Sequence, residues 1–154
     1  MSTEESVLFG IIAFLAGFIV IFFIVGIIFY LLYAIGMYKI TKRDGREDLA
    51  WLAWIPIAQI FLIPLLVEDD VHESMRGKFT LVFGIVFVAT FIISFFFSFI
   101  YVLYYIVLLY GFYFVAMRYS QNAIVHVVIA AITFGSTIPI SIFMFRNRTA
   151  NVIA

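Results

Sequence analysis

The long uncharged stretch near the start of the chain limits its possible folds more than any other feature. No charged residue occurs from Val7 to Tyr38. As an α-helix this run would reach roughly 48 Å, which exceeds the roughly 30 Å hydrocarbon core of a bilayer. The residues before it are acidic through Glu4 and Glu5, whereas a secretory signal peptide has a basic start and a shorter apolar core. We therefore expect an uncleaved first transmembrane helix.

The composition extends this expectation to the whole chain. Of its 154 residues, 66% are hydrophobic and 12% are charged, whereas soluble domains are about half apolar and about one quarter charged. Lipid must therefore cover much of the apolar surface. The formal net charge of zero gives no basic excess for nucleic acid. Cysteine is absent, which excludes disulfides, thiol nucleophiles and thiolate metal sites.

The distribution of apolar residues predicts an all-α integral membrane protein with a single transmembrane domain. We expect about four transmembrane segments, at about 7–38, 49–67, 79–117 and 123–145. The third is expected to be one long helix, bent near Ser94 and Ser98, because neither Gly nor Pro marks a turn between Phe91 and Leu109.

Prolines interrupt two of these segments. Pro56 and Pro64 lie in segment 49–67, and Pro139 lies in the last segment. Proline removes a backbone donor and crowds the preceding turn, so we expect a kink at each of the three. Segment 49–67 is just long enough to span, and we interpret it as a kinked spanning helix. The alternative is three spans and a re-entrant segment.

The basic loop before that segment is the strongest signal of orientation. Between Lys39 and Asp48 it contains four of the nine Lys and Arg residues and an Asp44-Gly45 turn signal. Because Lys and Arg concentrate on the cytoplasmic side, we place loop 39–48 in the cytoplasm. Four spans would divide the basic residues almost evenly between the two sides, whereas the three-span alternative would place nearly all of them inside.

A weak internal repeat supports four spans. The sequence LLYA at 31–34 resembles LLYG at 108–111, and each is followed by a short polar break. A proline-containing segment then ends in IPLL at 63–66 or IPIS at 138–141. This pattern predicts two similar helix–loop–helix units.

The basic loop and the segment after it resemble a group of small multi-pass bacterial membrane proteins, mainly Gram-positive. That group shares a basic loop followed by Trp-x-Ala-x-Ile-Pro-Ile-x-Asn. The matching residues here are Trp51, Ala53, Ile55, Pro56 and Ile57, with Gln59 in the Asn position. The resemblance covers about twenty residues. It implies a multi-pass membrane architecture in the bacterial cytoplasmic membrane and no catalytic residue.

Few residues suggest chemistry. The only acid–imidazole cluster consists of Glu68, Asp69, Asp70, His72 and Glu73, a donor set that suits Mn or Zn. A solvated loop is the favoured reading, so we predict no metal and no cofactor. Intramembrane proteolysis needs paired aspartates, a Ser–His pair or a metal motif within the membrane, and we expect none of them here; no phosphate-binding glycine loop or metalloprotease motif is present.

Four other side chains within the apolar segments have expected structural roles. Trp51 and Trp54 follow the basic loop and are predicted to be interface anchors. His126 is expected at the interface because it lies close to Asn122. Gln59 is expected to hydrogen-bond another helix or the backbone that Pro56 frees.

These features favour a non-catalytic membrane protein that binds a partner, such as an accessory or immunity-type protein. Its partners would be the lipid bilayer and either another membrane protein or further copies of itself. A small oligomeric transporter or channel is the alternative, and a metal-dependent membrane enzyme is the weaker one.

Overall fold

The computed structural model describes residues 3–94 and 98–150, with the backbone alone for Thr3 and Ser98. All regular secondary structure in these ranges is helical. The α-helices are α1 (Thr3–Arg43), α2 (Leu62–Leu66), α3 (Phe79–Ile93), α4 (Tyr101–Tyr119), α5 (Ala123–Ile132) and α6 (Ile138–Phe145). Three 3₁₀ helices cover Glu47–Trp54, Ala58–Phe61 and Ser98–Ile100. The predicted all-α class is therefore confirmed.

Two of the described helices are long and apolar enough to cross a membrane: Glu4–Arg43 within α1, and Tyr101–Tyr119, which is α4. The helices α3 and α5 are apolar but shorter. The chain is therefore compatible with a membrane location, as its composition predicted.

The predicted first helix is confirmed, and it is longer than the uncharged run. It has 41 residues, with acidic Glu4 and Glu5 in its first turn and basic Lys42 and Arg43 in its last turn. These charges complement the helix dipole at both ends. The helix stops at Asp44-Gly45, where Gly45 has a φ of 80°, so the predicted turn is also confirmed.

Only the last part of α1 packs against the rest of the protein. Residues 4–28 are exposed throughout, whereas Ala34, Met37 and Ile40 are buried. The buried part of α1 contacts the 3₁₀ helix Glu47–Trp54 and α6. More than half of α1 therefore presents an apolar surface that the rest of the protein does not cover.

Segment 79–117 is not the single long helix that the sequence predicted. It forms α3 and α4, which lie antiparallel: Phe83 and Phe87 both pack on Tyr104, at ring-centroid distances of 5.6 and 5.5 Å. Ser94 at the end of α3 also contacts the start of α4: its hydroxyl donates to the Phe91 carbonyl and accepts from the Tyr101 hydroxyl. Burial of aromatic faces between the helices then favours the pair over one extended helix.

Segment 49–67 is a hairpin and not one kinked helix, so that preferred interpretation is wrong. We name residues 47–66 the first hairpin. Its 3₁₀ helix Glu47–Trp54 runs back along α1, the chain turns at Pro56, and α2 returns. The closure is visible at Arg46, whose guanidinium reaches the Leu65 carbonyl oxygen at 2.7 Å. The ends of the segment are therefore adjacent.

Two tyrosines of α1 explain why the broken backbone of the first hairpin is tolerated. Tyr30 donates its hydroxyl to the Trp54 carbonyl at 2.6 Å, and Tyr33 donates to the Gln59 carbonyl at 3.3 Å. Proline interrupts helical hydrogen bonding at this point, and an apolar environment requires every freed carbonyl to find a donor. The Tyr30 phenol provides that donor for the Trp54 carbonyl, whereas the Gln59 carbonyl accepts from the Leu62 N–H as well as from Tyr33.

The last segment, 123–145, is also a hairpin, which we name the second hairpin. Helix α5 leads into a turn at 133–137, where Gly135 has a φ of 81°, and α6 returns. Tyr105 of α4 donates to the carbonyl of Ala130 at 2.7 Å, near the turn. Pro139 lies in the first turn of α6, where no donor is needed. The predicted kink at Pro139 is therefore a helix start.

The two prolines of the first hairpin affect the backbone differently, as their positions within a turn or a helix require. Pro56 lies in the turn between two 3₁₀ helices, so the predicted break is confirmed there. Pro64 is the third residue of α2 and is buried. Because the first turn of a helix has no use for the donor that proline lacks, the expected kink at Pro64 is not formed.

The core lies between the two hairpins, the end of α1, and the helices α3 and α4. Its largest fully buried side chains are Phe79, Phe83, Phe112, Phe145, Met37, Ile40, Leu62, Ile63, Leu66, Ile142, Val67 and Val71. The polar connections 39–48, 68–78 and 118–122 meet the residues after α6 at one end of this core. We name it the basic end, because it carries all nine Lys and Arg residues.

Candidate functional site

Arg118 joins three parts of the basic end. Its guanidinium contacts Asp44 at 2.8 Å and Asp70 at 2.6 Å. The three side chains are largely buried, with 15% of Arg118 and 17% of each aspartate exposed. Asp44 follows α1, Asp70 follows the first hairpin, and Arg118 ends α4. This ion-pair cluster therefore holds the polar connections 39–48, 68–78 and 118–122 together at the basic end.

Other basic side chains strengthen the same end. Arg46 lies 3.8 Å from Asp69 in addition to its bond to Leu65. Arg43 donates to the carbonyl of Arg148, and the guanidinium of Arg148 donates to the carbonyl of Tyr119 at 3.3 Å. The cations thus bind carboxylates and carbonyls of the protein, and a structural role explains their positions.

The acid–imidazole cluster of loop 68–78 does not converge. Glu68 accepts from the backbone N–H of Thr80 at 2.8 Å and from its hydroxyl, so it caps the start of α3. Asp69 faces Arg46, and His72 contacts Ser74 at 3.0 Å through Nδ1. In the described ranges no three metal-ligating side chains are placed to hold an ion. The side chains of Glu68, Asp69, His72 and Glu73 therefore do not form the metal site of the weaker hypothesis.

The structure brings together a Ser–His pair in the last apolar segment, so the expectation that no such pair is present is wrong. His126 Nδ1 lies 3.0 Å from Ser141 Oγ, and the His126 ring packs edge-on against Phe145. The two residues lie on α5 and α6, so the contact closes the second hairpin. Ser141 is 5% exposed and has an ordinary helical hydrogen bond from its N–H to the Thr137 carbonyl. The Ser141 hydroxyl thus lies buried within a helix and not on the exposed strand-to-helix turn of an α/β-hydrolase nucleophile, and its contact with His126 joins α5 to α6.

A polar cavity of about 570 Å³ lies beside this pair at the basic end. Its lining includes His126, Asn122, Gln121 and Arg148. His126 therefore lies where the basic end meets the second hairpin, close to the polar break that the sequence indicated.

A second cavity, of about 260 Å³, lies where the tips of the two hairpins meet α1 and α4. We name it the tip cavity. It is lined by Phe29, Tyr30, Tyr33, Gln59, Ile60, Ile63, Tyr104, Leu108, Gly135, Ile138 and Pro139. Most of these residues are half-buried, so the cavity opens to the surface. No charged side chain is among them.

Gln59 carries the unusual polar group of the tip cavity. Its backbone is engaged, because its N–H donates to Ile55 and its carbonyl accepts from Tyr33. Its side-chain oxygen Oε1 is buried and has no hydrogen-bond partner among the described residues. The expected hydrogen bond from this side-chain oxygen to a helix or to freed backbone is therefore not made.

The two tryptophans are on the surface of the first hairpin. Trp51 is 56% exposed and Trp54 is 45% exposed, and the Trp54 ring contacts Tyr38 at 6.4 Å between centroids. Both positions suit large amphipathic side chains at a membrane surface. Their role as interface anchors stays a prediction.

The sequence indicated Gln59, His126 and the acidic loop, but it gave no sign of how they combine. In the sequence, Arg118 stands out only as part of a short polar break, and no pattern assigns a role to Ser141. A signal for Arg118 does exist: it is one of few cations beside apolar segments, and aspartates occur in both earlier loops. Nothing local to Ser141 indicates His126 as its partner. Comparison with known protein families, with curated proteins and with solved structures finds no match for this chain.

Proposed function

We propose that this chain is a non-catalytic, multi-pass protein of the bacterial cytoplasmic membrane with three spans and two re-entrant hairpins. The spans are α1, α3 and α4, and the basic end is cytoplasmic. The gathering of all nine Lys and Arg residues at that end supports this topology, since the positive-inside rule requires such an asymmetry. It replaces the four spans that the sequence favoured.

The dimensions also support three spans. Helix α3 with its 15 residues is roughly 22 Å long and α4 with its 19 residues is roughly 28 Å long, so both approach the roughly 30 Å hydrocarbon core. Helices α5 and α6 have 10 and 8 residues, so each reaches only about halfway. At the turn between them, Tyr105 donates to the carbonyls of Ala130 and Ala131, and such bonds inside the protein are what a re-entrant segment requires.

The uncovered part of α1 carries the proposal that the protein binds a partner. Residues 4–28 are exposed on every face. Gly10, Ala13 and Gly17 share one side at helical spacing, and a Cβ atom added at either glycine would meet nothing within 4 Å. Small residues allow a second transmembrane helix to approach closely and to gain packing energy. An accessory or immunity-type protein would use this surface to bind another membrane protein or a second copy.

Cysteine labelling tests the topology directly, because the natural chain contains no cysteine. Single cysteines replace exposed Glu47, Glu73, Asn147 and Glu4 in turn. A membrane-impermeant thiol reagent added to intact cells should label Glu4→Cys alone, and the other three should react only after the membrane is opened. With four spans, Glu73→Cys and Asn147→Cys would instead react in intact cells.

Photocrosslinking tests partner binding separately. A photoreactive amino acid at Phe14, beside the small-residue face, should give one protein adduct of defined mass in native membranes. The matched control is Ile85, which is equally apolar and exposed on α3 and should give none. Gly17→Leu should abolish the adduct at Phe14. Lipid adducts alone at both positions would contradict the proposal.

A small oligomeric transporter or channel is the second candidate. It is favoured by the tip cavity, because two broken segments meet there as they do at transporter binding sites. The test is flux of ions and small neutral solutes into vesicles that contain the purified protein. A rate equal to that of protein-free vesicles would remove this candidate.

A further inference from the structure

The polar cavity beside His126 is lined by a cation and by several N–H donors. Its volume is about 570 Å³, and its lining includes Arg148, His126 and the side-chain amides of Gln121, Asn122 and Asn147. No carboxylate belongs to the described residues that line it. A concave surface with a fixed positive charge, and with amide donors but no competing anion, favours an anionic ligand.

The charge of Arg148 is not neutralised within the described part of the chain. Arg118 contacts Asp44 and Asp70, whereas Arg148 forms no ion pair with any described residue. Its guanidinium donates one hydrogen bond, from Nη1 to the Tyr119 carbonyl at 3.3 Å. Because a guanidinium has five N–H donors and Arg148 is exposed, most of its donors remain accessible to a ligand.

The buried ring of Phe145 supports both Arg148 and His126. The guanidinium carbon of Arg148 lies 5.6 Å from the centroid of this ring, and the His126 ring packs edge-on against it at 4.9 Å between centroids. His126 is also held through Nδ1, which lies 3.0 Å from Ser141 Oγ. A guanidinium and an imidazole of the cavity lining are therefore placed side by side before any ligand arrives.

An exposed apolar surface begins directly beside the polar cavity. Val125 and Ile129 follow Asn122 and His126 by three residues each on α5, so they are neighbours of the lining residues on the helix surface. Val125 is 54% exposed and Ile129 is 44% exposed. A free anion would leave this apolar surface uncovered, whereas an amphiphile with an anionic head would use both surfaces. The cavity volume is also in the usual range for a ligand larger than one phosphate.

We propose that the polar cavity binds the phosphate group of an anionic phospholipid, with the acyl chains along Val125 and Ile129. Arg148 binds two phosphate oxygens, because the planar guanidinium matches phosphate geometry with paired N–H groups. The amides of Gln121 and Asn122 donate to the rest of the headgroup. The inference rests on the proposed membrane location, but it requires neither a particular number of spans nor a protein partner.

Ligands that share parts of a phospholipid test this assignment. The full chain in dodecyl maltoside micelles is titrated with a short-chain phosphatidic acid, with the matching diacylglycerol and with inorganic phosphate, and protein-free micelles are subtracted. The phosphatidic acid should saturate one site and bind at least about tenfold more tightly than inorganic phosphate, because its chains bury apolar surface. The diacylglycerol should show no saturable binding.

Three results of this titration would overturn the proposal. Equal affinities for the phosphatidic acid and inorganic phosphate would assign the cavity to the free anion. Equal affinities for the phosphatidic acid and the diacylglycerol would show that the phosphate is not recognised. Absence of saturable phosphatidic acid binding would remove the site altogether. Cysteine labelling of the topology does not depend on this titration, so failure of the lipid site and failure of the proposed membrane arrangement are distinguishable.

Charge-matched variants locate the site. Arg148→Gln removes charge-assisted hydrogen bonds and should weaken phosphatidic acid binding about tenfold or more. Arg76→Gln changes the net charge equally at an exposed position outside the cavity lining and should keep the natural affinity. Equal affinities of these two variants would refute the role of Arg148.

A second substitution tests the cavity without altering Arg148. Gln121 is exposed, so Gln121→Glu should fold normally and place a carboxylate in the lining. Like charges repel, so this variant should also weaken phosphatidic acid binding about tenfold, whereas the neutral Gln121→Met should not. An unchanged affinity in Gln121→Glu would place the lipid phosphate elsewhere and refute the assignment.

Discussion

The guanidinium of Arg46 donates a hydrogen bond of 2.7 Å to the backbone carbonyl oxygen of Leu65. These residues lie 19 positions apart in the sequence, at the two ends of the first hairpin. The contact shows that the chain returns to the end from which it left, although the segment is long enough to form a spanning helix. The Trp-x-Ala-x-Ile-Pro-Ile sequence, which includes Trp51 and Pro56, therefore lies in the first hairpin and not in a spanning helix.

Arg46→Ala should open the base of the first hairpin. The variant removes one charge-assisted hydrogen bond and leaves the Leu65 carbonyl to find water, so we expect a loss of about 2 kcal/mol in unfolding free energy. Denaturant titration in detergent micelles measures this loss. Arg76→Ala is the control, since Arg76 is an exposed arginine of the same end and should change stability by less than about 0.5 kcal/mol. Equal effects of the two substitutions would contradict the role of Arg46.

Arg118→Ala should destabilise the protein more strongly. It leaves Asp44 and Asp70 largely buried without a cation, and removal of one partner from a buried pair costs about 3–5 kcal/mol. The loss of stability is measured by heating the protein in steps and by using size-exclusion chromatography to determine the folded fraction at each temperature. Lys42→Ala is the control, because Lys42 and Glu47 are 52% and 68% exposed and 4.0 Å apart, and such pairs contribute little.

A rescue experiment separates lost attraction from uncompensated charge. Asp44→Asn and Asp70→Asn introduced into Arg118→Ala should recover much of the stability, because the neutral amides carry no unpaired charge. If the triple variant is no more stable than Arg118→Ala, the cluster acts through packing and not through its charges.

Gly36→Ala should separate α1 from α6. A Cβ atom at Gly36 would lie 2.8 Å from Ile142 Cγ2 and 2.9 Å from the Ile142 carbonyl carbon and oxygen. Backbone atoms cannot rotate away as a side chain can, so we expect a loss of about 1–3 kcal/mol. The measurement is the midpoint of thermal unfolding in detergent.

The same substitution elsewhere on α1 provides the control. Gly26→Ala meets nothing within 4 Å, and alanine is favoured over glycine in helices by about 0.5–1 kcal/mol. Gly26→Ala should therefore leave stability unchanged or raise it. A similar loss at Gly26 and Gly36 would show that the close contact with Ile142 does not limit the fold.

Glu68→Ala should weaken the start of α3 without affecting any metal. Its carboxylate accepts from the N–H of Thr80 at 2.8 Å, and loss of such a cap costs about 1 kcal/mol. Exposed Glu73 serves as the control in Glu73→Ala. Added Zn²⁺ or Mn²⁺ should not change the melting temperature of the natural protein. A metal-dependent rise that Glu68→Ala abolishes would restore the metal hypothesis.

The candidate sites were only partly predictable from the sequence. Gln59 and His126 were recognisable because polar side chains are rare in apolar segments. Their environments were not, because Oε1 of Gln59 is isolated by the meeting of four elements, and Ser141 reaches His126 only when the second hairpin closes. The dispersal of Glu68 and Asp69 to Thr80 and Arg46 likewise depends on contacts over 12 or more residues.

By itself the sequence determined the helical class, the presence of α1, the turn at Gly45 and the break at Pro56. These depend on local causes: hydrophobic content, helix-compatible side chains, and the particular backbone properties of glycine and proline. Tertiary structure decided where the chain reverses. Tyr30, Tyr33 and Tyr105 donate to backbone carbonyls of the two hairpins, Tyr101 of α4 donates to Ser94 of α3, and Arg118 contacts two aspartates from distant loops. Segments of spanning length can therefore be hairpins, since partners distant in sequence satisfy the backbone that a continuous helix would satisfy for itself.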